Sequence, residues 1–201
     1  MVRVWDPAVR LFHWALVASF AVAWLTADEI KDLHIWAGYA VAALIAFRLI
    51  WGLIGPRYAR FSQFVTGPGA MIAYFGRVLR GTEPRYLGHN PAGAAMVVAM
   101  LIALSVTSWT GWMMTGTAPQ AMQTTGVATQ SYAGDDDDGD DEARGGSEVF
   151  EGLHEGAANL MLLFVLLHVG GVILASRKTR ENLAKSMITG TKRSPEPGDI
   201  A

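Results

Sequence analysis

Long apolar segments alternate with polar segments along this chain of 201 residues. Four of the apolar segments are long enough to cross a bilayer, because a helix of about 20 residues spans its hydrocarbon core. Their predicted bounds are residues 7–27, 33–55, 91–115 and 148–176. The pattern therefore predicts an all-α membrane protein in one domain, a bundle of four transmembrane helices.

Residues that favour helix starts and stops lie at the ends of these segments. Asp6 and Asn90 each precede a proline, so that a side-chain acceptor at the N-cap is followed by a residue suited to the first turn. Gly55 and Pro56 are expected to end the second helix. In the connection that follows, residues 68–79 predict a short amphipathic helix at the membrane surface.

Charge is distributed very unevenly over the polar segments. Fourteen of the 16 Lys and Arg residues lie in the N-terminal segment, between Arg48 and residue 88, or in the tail of residues 177–201. Because positively charged segments stay on the cytoplasmic side, both termini are predicted to be cytoplasmic. The end of the basic tail is rich in Pro and Gly and is expected to be disordered.

The connection between the third and fourth segments, residues 116–147, is acidic and is predicted to face the outer side. It contains the run Asp135–Glu142, which lacks the ligand spacing of an EF-hand loop. A solvated loop is the simpler interpretation of this run. The alternative is a docking surface for a basic partner such as a c-type cytochrome.

The chain contains no cysteine and has a net charge of −2. The absence of cysteine excludes disulfides, cysteine-ligated iron–sulfur clusters and covalent attachment of c-type haem. A redox cofactor would therefore need histidine or methionine ligands, or non-covalent binding. No nucleic-acid partner is expected.

Histidines within the predicted spans are the strongest candidates for chemistry, because ionisable residues are costly there. His154 and His168 are 14 residues apart, which places them within about 40° of one helical face and ~21 Å apart along the axis. The predicted orientation puts His13 and His168 near the cytoplasmic side, and His34 and His154 near the outer side. We call these the inner pair and the outer pair. Two such pairs fit bis-imidazole ligation of two b-type haems between helices.

Two other interpretations of the four histidines are available. Each histidine could be a buried polar residue that bonds to a neighbouring helix. Zinc is disfavoured, because pairs separated by ~21 Å cannot share one metal and each pair alone would lack ligands. Glycines beside the histidines would let a flat macrocycle approach the backbone, although they also serve helix packing. Haem is therefore the preferred cofactor.

Two further polar residues are candidates for the cytoplasmic end. Arg48 lies on the same face of the second helix as His34, 14 residues away, and is expected to meet a propionate of the inner haem. A snorkelling arginine is the alternative. His89 precedes the third helix and is interpreted as a capping-loop histidine, with a proton donor or quinone contact near the inner haem as the alternative.

The chain resembles the bacterial cytochrome b561 family, which includes the b-type cytochrome subunit of nickel–iron hydrogenases. The fragments that carry the resemblance touch all four predicted helices: VWDPAVRLFHW, LHIWAGY, FRLIWGLIGPRYARF, YLGHNPAGA and HEG…LLHVGG. The resemblance implies a four-helix bundle with two b haems that exchanges electrons between quinone and a partner protein. It also implies ligation by His13, His34, His154 and His168. The long acidic loop departs from the compact members of the family.

These observations predict a di-haem electron-transfer cytochrome that links the quinone pool to a hydrogenase-like subunit or a c-type cytochrome. It is expected to be a lipid-embedded, multi-pass protein of the bacterial inner membrane. One alternative is a haem enzyme that oxidises a small molecule such as superoxide and reduces quinone. Another is a haem-free membrane anchor. The sequence leaves open the physiological partner, the direction of electron flow and whether a homodimer forms.

Overall fold

The computed structural model describes residues 1–116 and 139–200, except for the side chains of residues 139–147. Within these residues the helices are α1 Pro7–Thr26, α2 Lys31–Ile54, α3 Phe61–Phe64, α4 Pro68–Arg80, α5 Pro91–Met114, α6 Gly139–Thr179 and α7 Leu183–Thr189. Two short strands, β1 Val2–Arg3 and β2 Thr191–Lys192, pair antiparallel. The helix predicted at the membrane surface is α4.

Four helical segments are long and apolar enough to cross a membrane: α1, α2, α5 and the Glu148–Thr179 part of α6. The predicted membrane bundle of four spanning helices is therefore confirmed. The helix α6 begins at Gly139, nine residues before the start predicted for the fourth span. The acidic residues 135–138 of the preceding connection lie outside the described residues.

The helix starts follow the local chemistry that the sequence indicates. The Asp6 carboxylate accepts hydrogen bonds from the backbone N–H groups of Ala8 and Val9, at 2.9 and 3.2 Å. The Asn90 side chain accepts one from Gly93 at 2.7 Å. Each cap satisfies backbone donors that the first turn of a helix would otherwise leave without partners.

The spanning helices pack around a small apolar core. α1 packs on α2, α2 on α5, and α5 most extensively on α6. The core comprises residues of α2, α5 and α6, namely Val41, Ile45, Ala103, Leu104 and Met161. Many other large apolar side chains of the spans are exposed on the outside of the bundle, as expected for surfaces that contact lipid tails.

Gly52 allows the connection after α2 to fold back onto that helix. A Cβ atom at this position would lie 2.0 Å from the Phe61 ring. No side chain larger than hydrogen fits there unless the ring moves. The ring of Phe61 in turn covers the guanidinium group of Arg48, which is 4.6 Å from the ring centroid.

The C-terminal tail is ordered up to residue 200, which corrects the expectation that its end is disordered. Strand β2 pairs with β1, and the Val4 N–H donates to the carbonyl of Gly190 at 2.9 Å. Further on, the Ile200 N–H donates to the Arg85 carbonyl at 2.8 Å, and the Leu87 N–H donates to the Ile200 carbonyl at 2.9 Å. The tail therefore closes over the end of the bundle where the chain begins.

Carboxylates of the tail hold it to Arg85. This side chain is paired with Glu181 at 2.6 Å and also with Asp199. Burial alone would raise the pKa of Glu181, but hydrogen bonds from Arg85 and from the Arg193 backbone lower it. Hydrogen bonds from the Glu196 backbone and from Arg85 lower the pKa of Asp199.

These depressed pKa values predict that the tail is released in acid. Carboxylates whose pKa is lowered in the folded state stabilise the docked tail when the pH is above their unfolded pKa of about 4. This stabilisation is lost as the pH falls through their folded-state pKa. Hydrogen exchange, corrected for its intrinsic pH dependence, should show early loss of protection at Leu87 and Ile200. Amides in the centre of α5 are the control. Equal loss of protection in both regions would contradict a separate acid-labile tail.

Candidate functional site

The structure brings the four histidines of the spans together as two pairs. In the inner pair, His13 of α1 faces His168 of α6, with 6.5 Å between ring centroids. In the outer pair, His34 of α2 faces His154 of α6, with 5.9 Å between ring centroids. These are the pairs predicted from depth.

The spacing within each pair suits one metal ion between two imidazoles. Metal–nitrogen bonds of about 2 Å on both sides would separate the ring centres by about 6 Å. Among the described residues, no group of three or more His, Cys, Asp or Glu side chains is placed to hold a metal. The two imidazoles of each pair are therefore placed to hold one metal ion, such as a haem iron, between them.

Hydrogen bonds orient both rings of the outer pair. Nδ1 of His34 lies 2.8 Å from the carbonyl oxygen of Ala23 on α1. Nδ1 of His154 lies 2.9 Å from the carbonyl oxygen of Thr107 on α5. Because a carbonyl only accepts, Nδ1 carries the proton in each ring, which leaves the lone pair of Nε2 free to bind a metal.

The inner pair differs from the outer pair in its hydrogen bonding. Nδ1 of His13 is buried and has no hydrogen-bond partner among the described residues. The ring of His13 contacts Trp14 edge-on, with 5.0 Å between centroids. A buried nitrogen without a hydrogen-bond partner is consistent with a site in which a bound group contacts the His13 ring.

Glycines leave open space beside both pairs. Gly38 lies one turn after His34, and Gly171 lies three residues after His168, so each shares a helix face with its histidine. A Cβ atom added at either glycine would meet nothing within 4 Å. This space lets a flat macrocycle approach the helices, and the residues present therefore fit haem.

Arg48 is buried where α2 meets the connection that follows it. Its side chain is 3% exposed, which rules out the snorkelling arginine considered from the sequence. One guanidinium nitrogen donates to the carbonyl of Ala59 at 3.0 Å, and the group stacks on Phe61 and Phe64. These contacts use only part of the five-donor guanidinium group, so contact with a propionate stays a prediction.

His89 is enclosed by aromatic rings at the same end of the molecule. Trp5 and Phe64 lie 4.8 and 4.5 Å from it between ring centroids, and its Nδ1 is buried without a hydrogen-bond partner among the described residues. Burial, followed by the positive charges of Arg48 and Lys192, lowers the pKa of His89 to about 3. The ring is therefore neutral at physiological pH.

A cavity of about 160 Å³ adjoins His89. Aromatic walls come from Tyr58, Phe64 and Tyr86, and Ile200 of the tail closes one side. Sequence reasoning proposed a role for His89 but missed this enclosure. His89 and Ile200 lie far apart in the sequence, so no local pattern indicates that both residues line one cavity.

Sequence reasoning also missed the residues of α5 that surround His154. Thr110 is fully buried, and its Oγ1 lies 3.3 Å from Nδ1 of His154. A Cβ atom at Gly111 would lie 3.0 Å from Cε1 of the same ring. Within an apolar helix, the Thr-Gly pair at 110–111 is a local signal of a close helix contact.

Comparison with known proteins places the chain among membrane cytochromes. The family model described as prokaryotic cytochrome b561 matches residues 4–190. A curated relative, the probable Ni/Fe-hydrogenase B-type cytochrome subunit of Azotobacter vinelandii, is 23% identical over 219 residues, covering 94% of this chain and 87% of the relative. No solved structure matches the chain significantly. The family match covers all four spans and both histidine pairs, and the chain belongs to the prokaryotic cytochrome b561 family.

Proposed function

We propose that this protein is a di-haem b-type cytochrome that passes electrons between a redox protein on the outer side and quinone on the cytoplasmic side. The observation that carries the proposal is the pair of facing imidazoles at each of two levels, with ring centroids 6.5 and 5.9 Å apart. Haem b would supply one-electron redox chemistry at each level. The fold would place one such site near each membrane surface.

The histidines would hold each haem from both faces. His13 and His168 would hold the haem of the inner site, and His34 and His154 would hold that of the outer site. Because two protein ligands leave no open coordination position, the arrangement favours electron transfer over oxygen binding. The helices would fix the separation of the sites, and the surrounding hydrogen bonds would tune their potentials.

The cavity beside His89 is our proposed site for the quinone head group. Phe64 and Tyr58 provide flat apolar walls for a ring. The His89 ring lines the cavity and can donate a hydrogen bond to a quinone carbonyl, because the neutral imidazole carries one N–H. Reduction to quinol takes two electrons and two protons. At this end of the bundle the protons would come from the cytoplasm, in the orientation that the distribution of Lys and Arg favours.

The outer ends of the spans carry the charge expected of a docking surface for a basic redox protein. Near these ends, the residues with described side chains include one basic residue, Lys31, and six exposed carboxylates, which are Asp28, Glu29, Asp32, Glu148, Glu151 and Glu155. Such a surface steers a positively charged partner. A c-type cytochrome or a hydrogenase-like subunit fits this description, and the hydrogenase-subunit name of the relative supports the second.

The same carboxylates count against the alternative of a superoxide-oxidising enzyme. An anionic substrate would be repelled from an acidic outer surface. The haem-free anchor is the remaining alternative, and colourless protein from haem-replete cells would support it.

The test is a pyridine haemochrome assay on the purified protein, together with a reduced-minus-oxidised spectrum. We expect two non-covalent b haems per chain, and reduction of a soluble quinone analogue by the pre-reduced protein. One haem would mean that one histidine pair is structural. No haem would overturn the proposal and leave a membrane anchor.

A further inference from the structure

We infer that one turn of α5, Thr107–Gly111, positions the His154 ring and makes the outer haem site the lower-potential site of the two. The inference rests on the proposed di-haem function and adds a direction of electron flow to it. Its basis is the contrast in hydrogen bonding and charge between the two histidine pairs.

The Nδ1–H group of His154 faces two acceptors on this turn. The carbonyl oxygen of Thr107 lies at 2.9 Å and the hydroxyl oxygen of Thr110 at 3.3 Å. The Thr110 hydroxyl can donate its own proton to the carbonyl of Val106 at 2.8 Å, which leaves its lone pairs for His154. Both oxygens therefore receive the same N–H and hold the ring in one orientation.

Gly111 fixes how closely the ring approaches α5. A Cβ atom there would lie 3.0 Å from Cε1 and 3.2 Å from Nδ1 of His154. A larger residue there would require the imidazole to move by a few tenths of an ångström away from α5, which carries both acceptors. Close packing and hydrogen bonding therefore act together on one ligand.

Donation from Nδ1 changes the chemistry of the metal-binding nitrogen. A ligand histidine that donates its second N–H becomes more basic at Nε2, which stabilises the oxidised iron and lowers the reduction potential. In the outer pair, His34 and His154 both donate to carbonyl oxygens. In the inner pair, Nδ1 of His13 has no acceptor among the described residues.

Charge acts in the same direction. The outer ends of the spans carry mainly carboxylates, and negative charge stabilises the more positive, oxidised form of a haem site. At the inner end, the buried guanidinium of Arg48 stacks 5.9 Å from the Phe64 ring that contacts His89. Positive charge there stabilises the reduced form. The hydrogen bonds and the nearby charges therefore both give the outer site a lower reduction potential than the inner site.

This order makes electron transfer downhill from the outer side to the inner side. An outer redox protein loses one electron per transfer and is oxidised. Two transfers, with two protons taken up at the inner end, convert one quinone to one quinol. The protein is thereby suited to oxidise its outer partner and reduce quinone.

The experiment is redox potentiometry of the complete protein with both haems bound, followed in the α-band. Replacing Thr110 by Val removes an acceptor and keeps the side-chain shape, so we expect the more negative of the two transitions to move to a more positive potential. T110S keeps the hydroxyl and should titrate like the wild type. T107V is the matched control, because the Thr107 hydroxyl bonds to Ala103 and its carbonyl is retained.

A second variant covers the case in which T110V does not accumulate. G111A should displace the His154 ring and shift or remove the same, more negative component. A shift confined to the more positive component, or equal titrations of T110V and T107V, would overturn the inference. Either result would leave two haems per chain in the wild type, so that failure of the inference is distinguishable from failure of the proposed function.

Discussion

Replacing either histidine of one pair is expected to remove the same haem. His13→Ala and His168→Ala should lose one spectral component, and His34→Ala and His154→Ala should lose the other. The reason is that the two rings of each pair face each other across a gap that fits one metal ion. Each variant should retain about one haem per chain instead of two, since one axial imidazole alone holds the iron weakly. Haemochrome stoichiometry and low-temperature spectra measure this result.

The control for these variants is a histidine outside the pairs. His89→Asn should keep both components, because His89 lies among Trp5, Phe64 and the cavity rather than opposite another histidine. Loss of the same component from His13→Ala and His34→Ala would show that the pairing by depth is wrong. Parallel loss of both components in all variants would instead indicate that the bundle folds only with both haems.

Replacing His89 by leucine is expected to slow quinone reduction about fivefold to 150-fold. The estimate follows from losing one hydrogen bond to a buried acceptor, which costs about 1–3 kcal/mol. The haem spectra should be unchanged, because His89 is not opposite an iron site. The measurement is the rate at which the pre-reduced protein reduces a quinone analogue over a range of analogue concentrations. It gives the half-saturating concentration and the maximal rate separately.

Asparagine at position 89 provides the matched comparison. His89→Asn keeps an N–H donor of similar reach and should retain more of the rate than His89→Leu. The pH dependence gives a second check. Because burial and nearby positive charge lower the pKa of His89 to about 3, the ring stays neutral and its donor role should not titrate between pH 5 and 8. Equal rates in wild type and His89→Leu would remove His89 from the quinone site.

Much of this protein is determined locally by its sequence. The four apolar runs have the length that a bilayer requires, and Asp6 and Asn90 mark helix starts because their side chains bond within one turn. The pairing of His13 with His168 and of His34 with His154 also followed from local facts. Helix rise gives the depth of a residue along each span, and the distribution of Lys and Arg predicts the direction of each span.

Tertiary structure decided the features that depend on contacts between distant residues. The end of the tail was expected to be disordered from its composition, yet Arg85 holds the tail through Glu181 and Asp199, which lie 96 and 114 residues further along the chain. The cavity beside His89 is closed by Ile200 for the same reason. No local periodicity records such contacts.

The setting of His154 shows where the boundary between sequence and structure lies. The sequence identifies this histidine as a ligand candidate, because an imidazole in a membrane span is costly and has a partner at the same depth. Only the packing of α5 on α6 shows that Thr107 and Thr110 accept its N–H and that Gly111 allows the approach. Which histidines are candidate ligands follows from composition and helical spacing, whereas the hydrogen bonds of those histidines depend on distances of about 3 Å between helices that the sequence does not specify.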